Sequence, residues 1–387
     1  MNLVFVEKDI DIMGGVERII NTIANNFCAN HEVAVISEHK NVANPFFEYD
    51  KRIKLYYIQD RSKCSKNNKS RIKKVTNSIK DYSSCLCLNK DIYNCIINAD
   101  CLIFGRVNTA LNFLPLLKKN CKNKKIIVRD AIHLNMYKKI DKIRMKINFP
   151  KVVDYLIVSS DESLNMYKDF FAYRNKNRIN LKKIYNPLGI MPKVGYKYDS
   201  KNIVSLGRLD KQKGFENLIL AFSIVNEKHP DWKLSIYGKG NYEKVLKKII
   251  KENKIKNVFI RNQEKDVVKI FNESSMYVMP SRYEGYANSL VEALACGIPS
   301  ISYNWLTGPE EIIENNVNGI IVNVDDRLKY LRGAINQQDI EDLAQAIIYL
   351  IENRDVCEKF NKNSIKIIES RDTKKIIGEW EKIIKSN

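Results

Sequence analysis

The sequence has no long apolar run. No uninterrupted apolar stretch approaches the about 18 residues that a membrane-spanning helix needs, so we expect any membrane contact to be peripheral. A signal peptide is not indicated, because acidic residues follow the short apolar run of residues 2–6 directly and no basic segment precedes it. We therefore expect a cytoplasmic chain.

A metal-binding pattern is also missing. The chain has nine cysteines and four histidines, but no Cys-x-x-Cys pair, and the cysteines between residues 85 and 101 have no histidine nearby. Such a set is typical of reduced thiols and not of a disulfide framework or a zinc site. We expect no metal and no cofactor. No internal repeat indicates a solenoid.

Acidic residues are scarce in the N-terminal half. Residues 1–190 hold 34 Lys and Arg against 18 Asp and Glu, a net charge of +16, whereas residues 191–387 carry only +4 of the total of +20. The excess is concentrated in Arg61–Lys80, Lys118–Arg129 and Lys138–Lys146. These runs suit an anionic lipid surface or a nucleic acid. They are equally compatible with the solvated faces of a Lys- and Asn-rich protein.

The length of 387 residues fits two domains of roughly 150–200 residues each. Short apolar runs alternate with helical periodicity in both halves, which predicts α/β sheets with crossover helices. In the first half we expect strands at 2–6, 33–37, 101–104, 125–129 and 155–159, with a glycine turn and a helix at 16–27. The best boundary is Asn186-Pro187, because proline disfavours helix in the preceding residue and a turn-rich stretch follows.

Strands and helices alternate more clearly in the second half of the sequence. We expect strands at 202–206, 233–237, 258–260, 276–279 and 299–302. Helices are predicted at 215–228, 242–253, 267–273 and 288–296, with a short one at 310–314. The amphipathic stretches 340–352 and 356–385 are predicted to be helical, with an interruption at Arg371-Asp372. We expect the last helix to return to the first domain.

The segment from Pro280 to Pro299 indicates a ligand site. It follows a predicted strand and opens a helix, and ligands bind at the carboxyl ends of strands in open parallel sheets. We predict Asn288 as the helix N-cap, and we expect the amides of Ser289 and Leu290 with the helix dipole to hold a diphosphate without metal. The carboxylates of Glu284 and Glu292 suit neutral hydroxyls, such as those of a sugar and a ribose.

Two further segments supply positive charge and close backbone approach. Gly207–Gly214 follows the predicted strand at 202–206. Its Arg208 and Lys213 are suited to neutralise a leaving diphosphate. Gly14 and Gly15 precede the first helix, where the lack of side chains would let the backbone of the first domain approach the same phosphate. A tight turn alone would also account for this pair.

These segments resemble glycosyltransferase family 4, the retaining enzymes of the GT-B fold with two facing Rossmann-like domains. The resemblance covers most of the chain and is strongest from Asn186 to about Val324. It rests on Glu284 and Glu292 in the Glu-x7-Glu motif, on Gly-Arg-Leu…Lys-Gly at 207–214, on the Asn-Pro hinge and on the N-terminal glycine pair. Four motifs in the same order make the resemblance specific.

The resemblance implies a metal-independent hexosyltransferase. Arg208 and Lys213 would bind the donor diphosphate, Glu284 the donor sugar and Glu292 the ribose. The segment from Leu306 to Ile313 is similar to members that build bacterial surface polysaccharides, such as lipopolysaccharide and capsule, and lipid-linked glycans, which indicates a UDP-sugar donor. We expect domains at 1–186 and 187–368, a returning helix at 369–387, and attachment to the inner face of the cell membrane.

The sequence departs from the family pattern near the expected base and sugar pockets. Arg261-Asn262-Gln263 replaces a frequent glycine, and Tyr286-Ala287-Asn288 replaces the commoner Phe-Gly-Leu. In the first domain, Arg129 and His133 fall where members place a residue near the reacting sugar. The resemblance implies a catalytic His133, and a hydrogen-bonded turn is the alternative.

Other functions remain open. A non-catalytic donor-binding partner subunit would keep the fold but not the glutamate pair. A nucleic-acid-binding protein would use the basic first half, although the sequence has no recognised reading motif, and we expect no nucleic acid. Asp9-Ile10-Asp11 matches a metal-binding Asp-x-Asp outside its usual context. Gly238-Lys239-Gly240 lacks the rest of a phosphate-binding fingerprint.

Overall fold

The structure is a computed structural model, and it describes residues 1–61, 88–130, 132–172, 179–193, 195–306, 308–331, 333 and 336–386. The predicted basic run at 61–80 therefore lies, apart from Arg61, outside the described residues, as do Cys64, Cys85 and Cys87. The chain divides into two compact units, one formed by Met1–Gly189 with Thr373–Asn387 and the other by Ile190–Asp372.

The first unit contains a parallel sheet of seven strands in the order β3-β2-β1-β4-β5-β6-β7. Its strands are β1 (Asn2–Asp9), β2 (Glu32–Lys40), β3 (Lys54–Asp60), β4 (Cys101–Phe104), β5 (Lys125–Arg129), β6 (Tyr155–Val158) and β7 (Asn180–Lys183). Its helices are α1 (Gly15–Phe27), α2 (Lys90–Ile97), α3 (Val107–Asn120), α4 (Lys139–Val152), α5 (Asp161–Ala172) and, from the end of the chain, α14 (Thr373–Lys385).

The sheet of the first unit is buried on both faces. Along β1, Leu3 and Phe5 point to one core and Val4 and Val6 to the other, as the two-residue repeat of a strand requires. Both faces of a parallel sheet need helices, since its crossover connections run over them. The alternation therefore turns a nearly continuous apolar run into two separate hydrophobic cores.

Helix α14 belongs to the first unit although it follows the whole second unit in sequence. Its buried Ile376, Trp380, Ile383 and Ile384 recur with helical spacing and pack in the core that contains Phe5. Lys125 at the start of β5 donates to the carbonyl oxygens of Ile383 and Ile384 at 3.0 and 3.2 Å. A cation at this end of a helix satisfies carbonyls that have no partner within the helix.

The second unit contains a parallel sheet of six strands in the order β10-β9-β8-β11-β12-β13. The strands are β8 (Asn202–Leu206), β9 (Lys233–Tyr237), β10 (Val258–Arg261), β11 (Met276–Met279), β12 (Ser300–Tyr303) and β13 (Gly319–Val322). The helices are α6 (Phe215–Lys228), α7 (Glu243–Glu252), α8 (Val267–Asn272), α9 (Asn288–Ala295), α10 (Arg327–Leu331), α11 (Gln337–Glu352), α12 (Arg354–Ser364) and α13 (Ile367–Ser370).

The predicted α/β class with two doubly wound sheets is confirmed, and so is the final helix that returns to the first unit. Three strands were not predicted, β3, β7 and β13. The interruption predicted at Arg371-Asp372 is present, because one helix ends at Ser370 and the last begins at Thr373, whereas the break after Ser364 was not predicted. Among the described residues, no helix combines the length and the apolar composition needed to span a bilayer.

Candidate active site

The second unit brings two of the predicted motifs to one place. Strands β8 and β11 are neighbours in the sheet but lie on opposite sides of its reversal in strand order. The loops that leave their carboxyl ends, residues 207–214 and 280–287, therefore meet at the switch point, where open α/β sheets bind ligands. Leu306 adds a third segment, because it forms an isolated bridge with Tyr283 after strand β12.

The glycines of the first loop explain the spacing of its motif. Gly214 has φ +62°, and a side chain there would collide with the carbonyl oxygen of Pro280. A glycine is therefore required both by the backbone conformation and by the approach of the second loop. A side chain at Gly207 would crowd the aliphatic stem of Lys213 at 3.0–3.3 Å. The two glycines thus direct Lys213 across the first loop towards the second.

Glu284 accepts hydrogen bonds from residues of both loops. The ammonium group of Lys213 lies 2.7 Å from its Oε1, and Ser281 donates to the same oxygen at 2.6 Å. The amide group of Gln212 donates to Oε2 at 3.4 Å and to the carbonyl oxygen of Tyr283 at 2.9 Å. The pair is largely buried, with side-chain exposures of 16% for Lys213 and 9% for Glu284. The carboxylate is thus held in one orientation.

The buried Glu284 and Glu292 both act electrostatically on one tyrosine. Tyr277, the second residue of β11, is fully buried, and its hydroxyl donates to Ser289 Oγ at 2.8 Å. Burial raises the pKa of Tyr277 well above its usual value. The Ser289 hydrogen bond opposes the shift, and the negative charges of Glu284 and Glu292 add to it. The charges of the two predicted acids and the Ser289 hydrogen bond therefore act on one buried hydroxyl, which sequence reasoning did not single out.

The start of helix α9 differs from the prediction in two respects. Asn288 is not the N-cap, because the helix begins with it and Ala287 precedes the first turn without a side-chain cap. The amide of Leu290 is not available to a ligand, because it donates to the carbonyl oxygen of Ala287 at 3.0 Å. The Ser289 amide lies in the first turn, where the helix has no carbonyl four residues earlier that could accept from it. The anion-binding role of the Ser289 amide stays a prediction.

Arg208 reaches the same group of residues at its solvent side. Its guanidinium pairs with Asp210 and donates to Gln212 Oε1 at 3.2 Å, and Gln212 in turn contacts Glu284. Two-thirds of the Arg208 side chain is exposed, 66%, so it can turn towards a ligand with little loss of packing. The structure thus places Arg208, Lys213 and Glu284 together through Gln212, and Ser289 at the start of α9 contacts Tyr277.

A buried ion pair that the sequence did not reveal holds the two loops together. The side chains of Arg282 and Glu216 are each 1% exposed, and their charged groups lie 2.7 Å apart. Arg282 also donates to the carbonyl oxygens of Lys211 and Tyr330 at 3.1 and 3.2 Å. An Arg in the second loop therefore satisfies carbonyls of the first loop and of α10. Its position inside the strongest motif was the available signal.

Tyr286, one of the departures from the family pattern, has a specific partner. Its hydroxyl accepts a hydrogen bond from Arg371 Nε at 2.5 Å, and both residues are buried. Arg371 also donates to the carbonyl oxygen of Glu311 at 3.4 Å. A phenylalanine at 286 would leave this guanidinium nitrogen without its acceptor. The departure is therefore accounted for by a contact with the segment that ends the second unit.

Gly238-Lys239-Gly240 is accounted for by packing. A side chain at Gly238 would collide with the carbonyl oxygen of Gly207, and one at Gly240 with that of Leu209. The amide of Leu209 donates to the Lys239 carbonyl oxygen at 3.1 Å. These glycines let the loop after β9 support the motif loop after β8. No phosphate-binding role is needed to explain them.

The corresponding position in the first unit has a different chemistry. At the switch point between β1 and β4, the fully buried Glu7 and the buried Glu17 both pair with Arg106. Burial raises the pKa of Glu7 to about 7, against the opposing effect of the Arg106 charge. A side chain at Gly14 would collide with the Glu17 carboxylate, so this glycine makes room for an acid of its own helix. Gly15 begins α1.

His133 caps a turn. It is 1% exposed, and its Nδ1 accepts from the amide of Asn135 at 3.1 Å, at the start of a short 3₁₀ turn. Burial, with a smaller effect of the Lys142 charge, lowers the pKa of His133 to about 4, so the ring is neutral at pH 7. Its Nε2 then carries the proton. The hydrogen-bonded turn expected as the alternative is present.

Arg129 is held next to the predicted hinge. Its guanidinium donates to Asn186 Oδ1 at 2.7 Å, and Ser159 donates to the same oxygen at 3.1 Å. Burial lowers the pKa of Arg129 to about 10, which leaves it charged at pH 7. The asparagine of the Asn-Pro motif is thus anchored in the first unit by two residues at the ends of β5 and β6.

Among the described residues, no group of three or more His, Cys, Asp or Glu side chains is arranged to hold a metal ion. The Asp-x-Asp sequence has other partners: Asp9 contacts His39 at 3.1 Å, and Asp11 accepts from the amide of Val42 at 2.8 Å. A cavity of about 800 Å³ lies at the opposite edge of the first sheet, lined by residues that include Asn2 and Glu32 at the starts of β1 and β2. Topology favours the carboxyl edge as the ligand site.

Comparison with known sequences finds a family match in the second unit and glycosyltransferases among the similar proteins. Residues 190–367 match the family of glycosyl transferases group 1. An uncharacterized glycosyltransferase of Haemophilus influenzae is 25% identical over 98% of this chain and 99% of its own length. A poly(ribitol-phosphate) alpha-N-acetylglucosaminyltransferase of Staphylococcus aureus is 26% identical over 63% of this chain and 46% of its own length. The chain thus spans less than half of that second relative.

Solved structures share the fold. A variant of TarM from S. aureus, in complex with fondaparinux, alpha-GlcNAc-glycerol and UDP, superposes with a TM-score of 0.78 and 16% identity over the full length of both chains. HepE from Anabaena, in complex with UDP, gives a TM-score of 0.71 and 14% identity over the full length of both chains. With the two doubly wound sheets and the group 1 match, these likenesses support a glycosyltransferase with the GT-B fold.

Proposed function

We propose that this chain transfers a hexose or N-acetylhexosamine from a UDP-sugar to a glycan or lipid-linked acceptor in cell-surface polysaccharide synthesis, with retention of the anomeric configuration and without a metal ion. The observation that carries the proposal is the Lys213–Glu284 pair at the switch point of the second sheet, beside the N-terminal turn of α9. Support for the donor comes from the UDP bound to TarM and HepE.

Lys213 is the residue that substitutes for a divalent cation in this proposal. An ammonium group has three donors, and one of them is used by Glu284, so the others remain for the oxygens of a diphosphate. Arg208 supplies a second cation from the solvent side, and the Ser289 amide adds the dipole of α9. Positive charge fixed at the leaving group lowers the barrier to breaking the bond from C1 to the diphosphate oxygen.

Glu284 orients the donor sugar. Its carboxylate is fixed by three hydrogen-bond donors, from Lys213, Ser281 and Gln212, and it accepts sugar hydroxyls without having to be reorganised. Glu292 takes the ribose. The acceptor oxygen then forms a bond to C1 on the face that the diphosphate leaves, and its proton passes to a diphosphate oxygen. The α-linked product named for the S. aureus relative supports retention from an α-linked donor.

The roles of Gly14, Gly15 and His133 stay predictions. Gly14 accommodates Glu17, and His133 caps a turn through its Nδ1, so both residues have structural functions of their own. The catalytic role implied for His133 requires the Nε2 proton to be donated to the substrate. Replacement of His133 by Asn would keep an acceptor for the Asn135 amide while removing that donor.

The experiment is a UDP-release assay with a panel of UDP-sugars and acceptor extracts in excess EDTA, on the wild type, Glu284→Ala and Lys213→Ala. We expect each variant to lose about 10²- to 10³-fold in kcat, because each removes an interaction with the reacting groups. Lys247→Ala is the matched control, since that lysine pairs with Glu243 on the exposed face of α7. Melting curves show whether the variants are folded.

The outcomes separate the parts of the proposal. Unchanged activity in both variants would remove the site assignment. Activity that EDTA abolishes and Mg²⁺ restores would remove metal independence but leave glycosyl transfer standing. Binding of UDP without turnover on every acceptor would favour a donor-binding partner subunit. Tight RNA binding without any binding of UDP-sugars would favour a nucleic-acid-binding protein.

A further inference from the structure

Helix α4 of the first unit has apolar residues on two opposite sides. Met145 and Phe149 are fully buried and face the core. Ile140, Ile143 and Ile147 point the other way, with exposures of 58%, 52% and 40%. A surface helix normally places polar residues on its outer side. We name the outer set of three the isoleucine stripe.

The stripe is one continuous strip. Positions 140, 143 and 147 follow the spacing i, i+3, i+7, which places them on one line along a helix. At 100° per residue they lie about 140–160° around the helix from Met145, almost opposite the buried side. Exposed apolar residues that are grouped in this way mark an interaction surface, unlike the single ones that any protein shows.

Basic residues border the stripe on both sides. Lys139 lies on one flank and Lys151 on the other, and both are exposed. Arg144 and Lys146 lie next to these two lysines around the helix, further from the stripe, and are partly exposed. The helix has one acidic residue, Asp141, which lies towards the buried side and pairs with Arg144 at 3.3 Å. The outer side of α4 is therefore apolar in the middle and positive at both edges.

We propose that the isoleucine stripe of α4 and its flanking lysines form the surface through which the first unit lies on an anionic lipid membrane. Helices of this composition lie in the plane of the interface, where the apolar strip enters the acyl boundary and the lysines meet the headgroups. The cations favour an anionic surface over an uncharged protein face. One of the predicted basic runs, Lys138–Lys146, lies on this helix, with Lys138 as its N-cap.

The test is co-sedimentation of the purified full chain with vesicles of phosphatidylcholine alone or mixed with phosphatidylglycerol. The wild type is expected to bind the mixed vesicles, to bind them less at high salt, and to leave the neutral vesicles unbound. Replacement of Ile140, Ile143 and Ile147 by Ser is expected to weaken binding at least about tenfold, because apolar area is no longer buried. Ile and Ser have similar helix propensities, so the helix should persist.

The charge is tested separately. Lys139→Gln with Lys151→Gln is expected to weaken binding to the mixed vesicles about 30-fold. The matched control is Lys247→Gln with Lys248→Gln, two exposed lysines of α7 in the second unit, which should leave binding unchanged. Equal loss in both lysine pairs would reduce the effect to net charge and overturn the assignment to α4.

Three other results would overturn the proposal. The first is that the isoleucine variant pellets with mixed vesicles as well as the wild type does, and the second is that the wild type binds both kinds of vesicle equally. A wild-type dimer in light scattering that the isoleucine variant breaks would make the stripe a contact between copies of the chain. None of these outcomes depends on glycosyl transfer, so the proposal stands or falls independently of the proposed function.

Discussion

In each unit, the first strand of the sheet leads to a glycine that directly precedes a helix, Gly14 before α1 and Gly214 before α6. The two positions have the same place in the same strand order, but their surroundings differ. Gly214 has a positive φ and touches the backbone of the second motif loop, whereas Gly14 is extended and faces the carboxylate of Glu17.

The charges differ in the same way. At the edge of the second sheet, Arg208 is exposed and Lys213 partly exposed, so two cations can reach a ligand. At the edge of the first sheet, Arg106 already pairs with Glu7 and Glu17. One topology thus supports an edge with two accessible cations in one unit and an internally neutralised edge in the other, which shows that side chains and not strand order determine the chemistry.

The largest loss of stability is expected from breaking the buried ion pair of Arg282 with Glu216, which holds the two motif loops of the second unit together. Arg282→Met leaves Glu216 buried without its partner and removes the donors to the carbonyl oxygens of Lys211 and Tyr330. Breaking a buried ion pair costs about 3–5 kcal/mol, so we expect the Tm to fall by roughly 10 °C. Thermal melting followed by calorimetry measures the shift.

The control is the same substitution at an exposed ion pair. Arg354 pairs with Glu358 on α12, and its side chain is 58% exposed. Exposed pairs contribute about 0–1 kcal/mol, so Arg354→Met should shift the Tm by no more than about 2–3 °C. Similar shifts in Arg282→Met and Arg354→Met would show that the buried pair does not hold the loops.

The two helix-preceding glycines allow a direct comparison. Gly214→Ala is expected to cost about 2–4 kcal/mol, since alanine is strained at this φ and its Cβ meets a backbone oxygen that cannot move freely. Gly14→Ala is expected to cost less, about 1–2 kcal/mol, because its φ of −156° suits any residue and its Cβ meets the end of the Glu17 side chain, which can shift slightly while it stays paired with Arg106. Urea unfolding of both variants measures the difference, and equal costs would contradict it.

The parts of the molecule that could be predicted from sequence are those with a local pattern. Strands such as Cys101–Phe104 and Met276–Met279 are short apolar runs, and their bounds match the structure. Strands β3 and β7 were missed because they lie at the two edges of the first sheet, where half-buried and polar residues such as those of Asn180–Lys183 replace the apolar run. Edge position is a property of the sheet and leaves little trace in the strand itself.

The site shows the same division. Lys213 and Glu284 were predicted because a spaced motif carries them, and the structure brings them into contact. The partnership of Arg282 with Glu216, and that of Tyr286 with Arg371, joins residues 66 and 85 positions apart. No local spacing encodes such contacts. The start of α9 at residue 288 matches the prediction, but its N-cap is Ala287 and not Asn288, because the cap geometry decides the exact boundary at a helix end.

The internally neutralised edge of the first unit predicts a pH dependence of stability. Glu7 has a folded-state pKa of about 7, above the usual carboxyl value, so the folded chain binds its proton more tightly than the unfolded chain. Stability is then lost as the pH rises from about 4.5 to 7, by up to about 3 kcal/mol. Glu7→Gln should therefore raise the Tm at pH 8 and have little effect at pH 5.

The matched control for Glu7 is Glu252→Gln, at an acid of α7 whose side chain is 61% exposed. This variant should follow the wild type across the same pH range, because its charge is solvated in both states. A Glu7→Gln variant whose Tm changes by the same amount at pH 5 and pH 8 would show that Arg106 keeps Glu7 ionised throughout.

The smallest effect on the site is expected from Tyr286→Phe. This substitution introduces, in the loop before α9, the residue that is common in glycosyltransferase family 4. The substitution keeps the ring but leaves Arg371 Nε without its acceptor, a loss of about 1–2 kcal/mol for a hydrogen bond to a charged group. Because Tyr286 precedes α9, a looser loop should raise the KM for the donor a few-fold and leave kcat nearly unchanged. Kinetics on wild type, Tyr286→Phe and Arg371→Lys measure this, and a fall in kcat without a change in KM would instead place Tyr286 at the reacting groups.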